Sequence, residues 1–75
     1  MITPTSYRWR KTTDINREYS VFELVADEIP IIDVGFSDTE IFEVAFNASI
    51  AGVLIDWELL RKLIEEGRSL AERDR

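Results

Sequence analysis

The chain has 75 residues, 45% of them hydrophobic, with no cysteine, no histidine and a formal net charge of −6. A domain of this size buries only about 60% of the surface its unfolded chain exposes; disulfides, thiolate or imidazole metal sites and nucleophilic catalysis through a histidine base are all excluded. The charge is segregated: residues 1–17 hold four basic groups and one acid, residues 18–60 ten acids and no base, and residues 61–75 five bases and four acids.

Residues 1–6 carry no periodic signal and are expected to lie loose. Residues 7–13 alternate, with Tyr7, Trp9 and Lys11 on one side and Arg8 and Arg10 on the other, as a strand would. The segment 14–18 leads into three runs rich in Val, Ile and Phe, which predict strands near 19–26, 30–37 and 40–47. A period of two gathers Phe22, Leu24, Ala26, Ile32, Val34, Phe36, Phe42, Val44 and Phe46 on one apolar face. The opposite face then mixes Glu23, Asp33 and Glu43 with Val21, Val25, Ile31, Ile41, Ala45 and Gly35.

Register follows from parity and charge. Paired residues share a face, so Phe36 must lie opposite an even-numbered residue, which requires an odd loop of three or five residues around Asp38-Thr39-Glu40. Setting Phe36 against Phe42 places Asp33 opposite Ala45, whereas a slip by two would oppose Asp33 to Glu43, which like-charge repulsion disfavours. If residues 7–13 pair beside 19–26, Arg8 or Arg10 comes to lie near Glu23.

Residues 48–55 fit a crossover loop, a short fifth strand or an extra helical turn. From Asp56 the period becomes helical, with Leu59, Leu60, Leu63, Ile64, Gly67, Leu70 and Ala71 on one stripe of a helix near 57–73. Asp56 suits the N-cap, and Glu58 and Arg73 suit the helix dipole at either end. Gly67 costs about 1 kcal/mol relative to Ala and marks either a close approach to the sheet or a fraying point. Trp57, in the first helical turn, is expected to seal the edge of the core. The predicted architecture is a single α+β domain over 1–75, an antiparallel β-meander of three to four strands with one C-terminal amphipathic helix packed on one face.

One helix covers one side of such a sheet, so the face bearing Glu23, Asp33 and Glu43 is left to solvent or a partner. The functional expectation is a non-catalytic protein-binding module with Glu23, Asp33, Glu43, Val21, Ile31 and Ile41 as its contact residues, or one acting by self-association. A basic partner would be drawn to the acidic row, and a homodimer through an edge strand would avoid opposing two such rows. No catalytic residue, metal ligand, cofactor or small-molecule ligand is indicated. The glycines are too far apart to cradle phosphate, and the acidic turns lack the pattern of a calcium loop. Nucleic acid is disfavoured by the net negative charge. No apolar run approaches the roughly 18 residues of a membrane span, and with no leader visible the expected location is cytoplasmic. Two alternatives from other classes are a carboxylate mimic of nucleic acid, with acids spaced like phosphates, and a carboxylate-based enzyme, with a concave pocket and an acid of raised pKa.

Overall fold

Short runs of β-branched and aromatic residues separated by polar turns dictate strands, and the computed structural model, which describes Met1–Arg75, contains four: β1 (Tyr7–Thr12), β2 (Val21–Ala26), β3 (Ile29–Phe36) and β4 (Phe42–Phe46). They pair antiparallel in sequential order. A single 3-10 turn at Ala48–Ile50 leads to helix α1 (Trp57–Asp74). This is the expected α+β meander with one C-terminal helix.

The β3–β4 register is the one charge avoidance selects, with Phe36 opposite Phe42 and Asp33 opposite Ala45. A five-residue connection closes it: the Ser37 N–H donates to the Ile41 carbonyl, and Ser37 Oγ accepts from the N–H groups of Thr39 and Ile41. On the other side of the sheet Arg10 pairs with Glu23 across β1 and β2.

The β2–β3 turn contains only Asp27 and Glu28, both at positive φ (47° and 69°). That conformation matches the twist of a two-residue hairpin but disfavours side chains with a Cβ. Asp27 is held there because its carboxylate accepts from the backbone N–H and hydroxyl groups of both Thr5 and Ser6. The Thr5 N–H is the largest cause of a carboxyl pKa below the usual range. The first six residues are therefore tied down rather than loose. Ile2 forms a parallel bridge with Val53, and Pro4 is buried. The same bridge gives residues 48–55 their form, a 3-10 turn followed by a bridging residue.

A bulge between Leu24 and Val25 breaks strict alternation, because Leu24 faces Ile32 while Val25 faces Pro30. Ile31 is the extra residue of β3. It turns into the core, 1% exposed, beside Phe22, Leu24, Ala26, Ile32, Val34, Phe36 and Ala71. This corrects the expectation that Ile31 lies on the open face.

Helix α1 starts as anticipated, with the Asp56 carboxylate accepting from the Leu59 N–H at 3.0 Å. Its seat on the sheet is set by Gly67 and Trp9. A Cβ at Gly67 would fall 2.6 Å from Trp9 Cζ2 and 2.7 Å from Cη2. The same indole donates Nε1–H to the Leu63 carbonyl at 3.1 Å. Lys11 reaches Asp74 at 2.7 Å, and the Arg75 guanidinium lies 4.0 Å from the centre of the Phe36 ring. Gly67 thus marks a close approach, not a fraying point.

The helix sits over β2 and β3 and leaves part of the apolar face bare. Val44 and Phe46 have the predicted parity but remain 37% and 63% exposed, and Trp57 is 67% exposed instead of sealing the core.

At an open helical site Gly→Ala gains about 1 kcal/mol, so Gly67→Ala separates propensity from packing. The added methyl must displace a ring held by its own hydrogen bond, and overpacking of this kind costs roughly 1–3 kcal/mol. The net loss is then about 0–2 kcal/mol, and thermal denaturation is expected to show a melting temperature that does not rise and falls by several degrees for a loss of about 1 kcal/mol, partly recovered in the Trp9→Phe background. A higher melting temperature for Gly67→Ala would contradict this account of the helix seat.

Candidate interaction surface

The uncovered face of the sheet is built from the outward residues of all four strands. Register sets Arg10, Glu23, Asp33 and Ala45 in one row, and Thr12, Val21, Gly35 and Glu43 in the next. Four of the six anticipated contact residues, Glu23, Asp33, Glu43 and Val21, are brought together here. Ile41 lies beside them at the end of the β3–β4 connection, 59% exposed. Ile31 is absent from this face, for the reason given above.

Basic side chains interleave with the acids. Arg10 forms an ion pair with Glu23, whose side chain is left only 18% exposed. Arg8, one row further along β1, pairs with Glu28 at 3.0 Å. Arg17 comes from the β1–β2 connection; its Nη2 donates to the Phe36 carbonyl at 3.0 Å, while its Nε is buried without an acceptor. Arg17 contributes to this face although alternation does not place it there; the only trace in the sequence is its position as the last cation before the acidic block. The face is a mixed-charge surface instead of a row of anions. Exposed pairs of this kind are each worth about 0–1 kcal/mol, so they shape the potential more than they hold the fold.

Asp33 stands out within it. Half-buried between Glu23 and Ala45, its carboxyl is pushed above the ordinary range, chiefly by removal from water and secondly by the charge of Glu23, with the Asn47 amide opposing both. Beside it, Gly35 borders a depression of about 240 Å³ whose other walls include Arg17, Val21, Asp33 and Glu43. That is smaller than the roughly 300 Å³ at which small-molecule pockets begin. No three acidic side chains converge as an oxygen cage for a metal requires. The acids do not run in single file either, since Glu43 sits one row away from the Glu23–Asp33 pair.

The second surface lies at the far edge of the helix-covered face. Between β4 and the first half of α1 runs an apolar groove of about 340 Å³, lined by Val44, Phe46, Trp57, Leu60 and Ile64 with the side chains of Arg61 and Glu65 at its rim. Phe46 and Trp57 are among the most exposed large apolar side chains of the chain, and they flank one groove. The arrangement follows from geometry: a helix about 10 Å wide covers about two strands spaced about 4.8 Å apart. Placed over β2 and β3, it leaves the Val44–Phe46 part of β4 uncovered. The signal in the sequence was the number of apolar sheet residues set against a single helix, a comparison that strand periodicity does not make. No helix of the chain is long and apolar enough to cross a membrane.

Comparison of the chain with protein-family models, with curated proteins and with solved structures gave no match in any of the three.

The raised pKa of Asp33 makes a signed prediction. A carboxyl that ionises less readily in the folded state than in the unfolded chain opposes folding once it is charged. Its contribution to stability is fully present below the ordinary value of 3.8 and is lost as pH rises through the higher folded value. Asp33→Asn is therefore expected to melt a few degrees above the wild type at pH 7, with the gap closing as pH approaches 4. Equal melting curves at pH 7, or a gap that widens in acid, would refute the burial account.

Proposed function

We propose that this chain is a non-catalytic protein-interaction module whose main contact region is the β4 edge together with the groove between β4 and α1. The observation that carries the reading is the grouping of Val44, Phe46 and Trp57 around one apolar groove. Contiguous apolar patches on small domains are characteristic of association sites, and Trp is among the residues most enriched where binding energy concentrates at protein interfaces.

A second contact region is the open sheet face, favoured by Asp33. An incoming Lys or Arg of a partner would favour the ionised carboxyl and so offset both its desolvation penalty and its repulsion with Glu23, and the depression beside Gly35 gives such a group access. Glu43 and Ile41 are exposed beside it, whereas Glu23 is already engaged by Arg10. This reading takes a basic segment of a partner, with binding that weakens in salt.

Affinity capture with matched variants tests the two regions against each other. Phe46→Ser and Trp57→Ser are expected to lose most of the partner retained by the wild type, by at least about tenfold in affinity for a hot-spot residue. Asp33→Asn with Glu43→Gln is expected to change binding little at physiological salt. The reverse pattern would move the contact region to the open face, and full retention by all folded variants would remove the interaction reading.

A further inference from the structure

The two edges of the sheet are guarded very differently. β1 carries Arg8, Arg10 and Lys11 along its length, and Lys11 is bound to Asp74 of the helix. Charged side chains of that kind, lysine above all, are what keep an edge from pairing with another chain. β4 reads Phe42-Glu-Val-Ala-Phe46, with one charge, no proline and no bulge.

The hydrogen-bonding groups of that edge can be assigned. The Ser37 N–H donates to the Ile41 carbonyl and the Asn47 N–H donates to the Ile31 carbonyl. Odd-numbered residues of β4 therefore turn their backbone groups toward β3. By alternation, the N–H and C=O of Phe42, Val44 and Phe46 point outward from the sheet. No strand lies on that side.

From these observations, and resting on the interaction reading above, we propose that the occupant of the β4 edge is a second copy of this chain, paired antiparallel about Val44 so that two four-stranded sheets become one. The strand is close to a palindrome, which is what a two-fold contact requires, since each copy presents the same residues in the opposite direction. Centred on Val44, the pairing opposes Phe42 to the second copy's Phe46, Val44 to its Val44, and Glu43 to its Ala45. Every outward N–H and C=O of Phe42, Val44 and Phe46 then finds a partner. The single carboxylate never meets itself. A shift toward Glu43 would set the two carboxylates directly opposite, and a shift toward Ala45 would push Phe42 past the end of the strand.

The two-fold axis of an antiparallel seam stands perpendicular to the sheet, so both helices lie on the same side, flanking it. Phe46 and Trp57 of both copies fill the trough between them and remove on the order of 600 Å² of apolar surface from water. With Val44 and the backbone seam this reaches the low end of specific interfaces, about 1,200 Å² in total, so the dimer is expected to form and dissociate within an accessible concentration range.

Sedimentation equilibrium of the full chain from about 1 µM to 1 mM is expected to show the mass rising from 8.7 kDa toward twice that value. Amide exchange at Phe42, Val44 and Phe46 is expected to slow in parallel. Ala45→Glu places a carboxylate against the second copy's Glu43 and is expected to weaken association at least about tenfold. Combining it with Glu43→Lys makes the pair complementary again and is expected to restore association. Val44→Pro, which deletes an outward N–H and leaves the backbone bonds of the odd-numbered residues to β3 their donors and acceptors, is a second disrupting variant, and circular dichroism checks that each variant is folded. A wild type that stays at 8.7 kDa throughout, or a folded Ala45→Glu protein that dimerises like the wild type, would overturn the proposal. Should the wild type be monomeric while Phe46→Ser still loses a captured partner, self-pairing fails and the interaction reading stands.

Discussion

The position of the helix depends on one contact, the Trp9 indole lying where the side chain of residue 67 would otherwise be. Any residue larger than glycine at that point would lift α1 off β1, and the hydrogen bond from Trp9 Nε1 to the Leu63 carbonyl fixes the helix along its axis. The C-terminal end of the helix is secured by Lys11 with Asp74 and by Arg75 over Phe36. Seated over β2 and β3 with Trp9 against its β1 side, a single helix has no width left for the outer part of β4. The apolar groove at β4 is thus a consequence of how the core is closed on the other side.

The charge segregation of the chain is resolved in the same fold. Apart from its ends, where Glu58 pairs with Arg61 one helical turn on, the acidic central block has no cation nearby in sequence, so its compensation comes across space from the two basic ends. β1 supplies it by pairing with β2, which brings Arg10 to Glu23, and the turn at Asp27–Glu28 brings Glu28 within reach of Arg8. The C-terminus supplies one further pair across space, Arg75 with Glu40 at 3.2 Å. Asp33 is left half-buried and without an ion-pair partner, and its carboxyl is pushed above the ordinary range by removal from water and then by the charge of Glu23.

Much of the sheet was legible because its determinants are local or pairwise. Alternation selects the faces, and the incompatibility of Asp33 with Glu43 selects the β3–β4 register. Asp56 followed by an apolar stripe marks the start of α1. What escaped were features decided by more than two elements at once. Ile31 shares the parity of Asp33, and only the bulge at Leu24 and Val25 turns it into the core. The N-terminal residues look featureless until Asp27 is held at positive φ, where its carboxylate collects four donor groups from Thr5 and Ser6. Trp57 belongs to a helix whose period is plain, yet its exposure depends on where across the sheet the helix comes to rest. The candidate site was missed for that reason. The open acidic face could be drawn from alternation alone, whereas the β4 groove required the helix to be placed.

Self-association would answer a deficit that the monomer carries. Only 12 of its 75 residues are buried, and with neither disulfide nor metal to limit the unfolded ensemble, a domain this small has little stability beyond its core. Covering Val44, Phe46 and Trp57 adds burial where the fold lacks it, and the outward backbone groups of β4 gain partners without any change in the monomer. Because a second copy binds the folded state and not the unfolded chain, association and stability would be linked, and the midpoint of unfolding would rise with protein concentration. The guarded edge at β1 limits the process to one seam. A chain with two open edges would extend into a fibre, whereas one open edge closed by a two-fold axis stops at a pair.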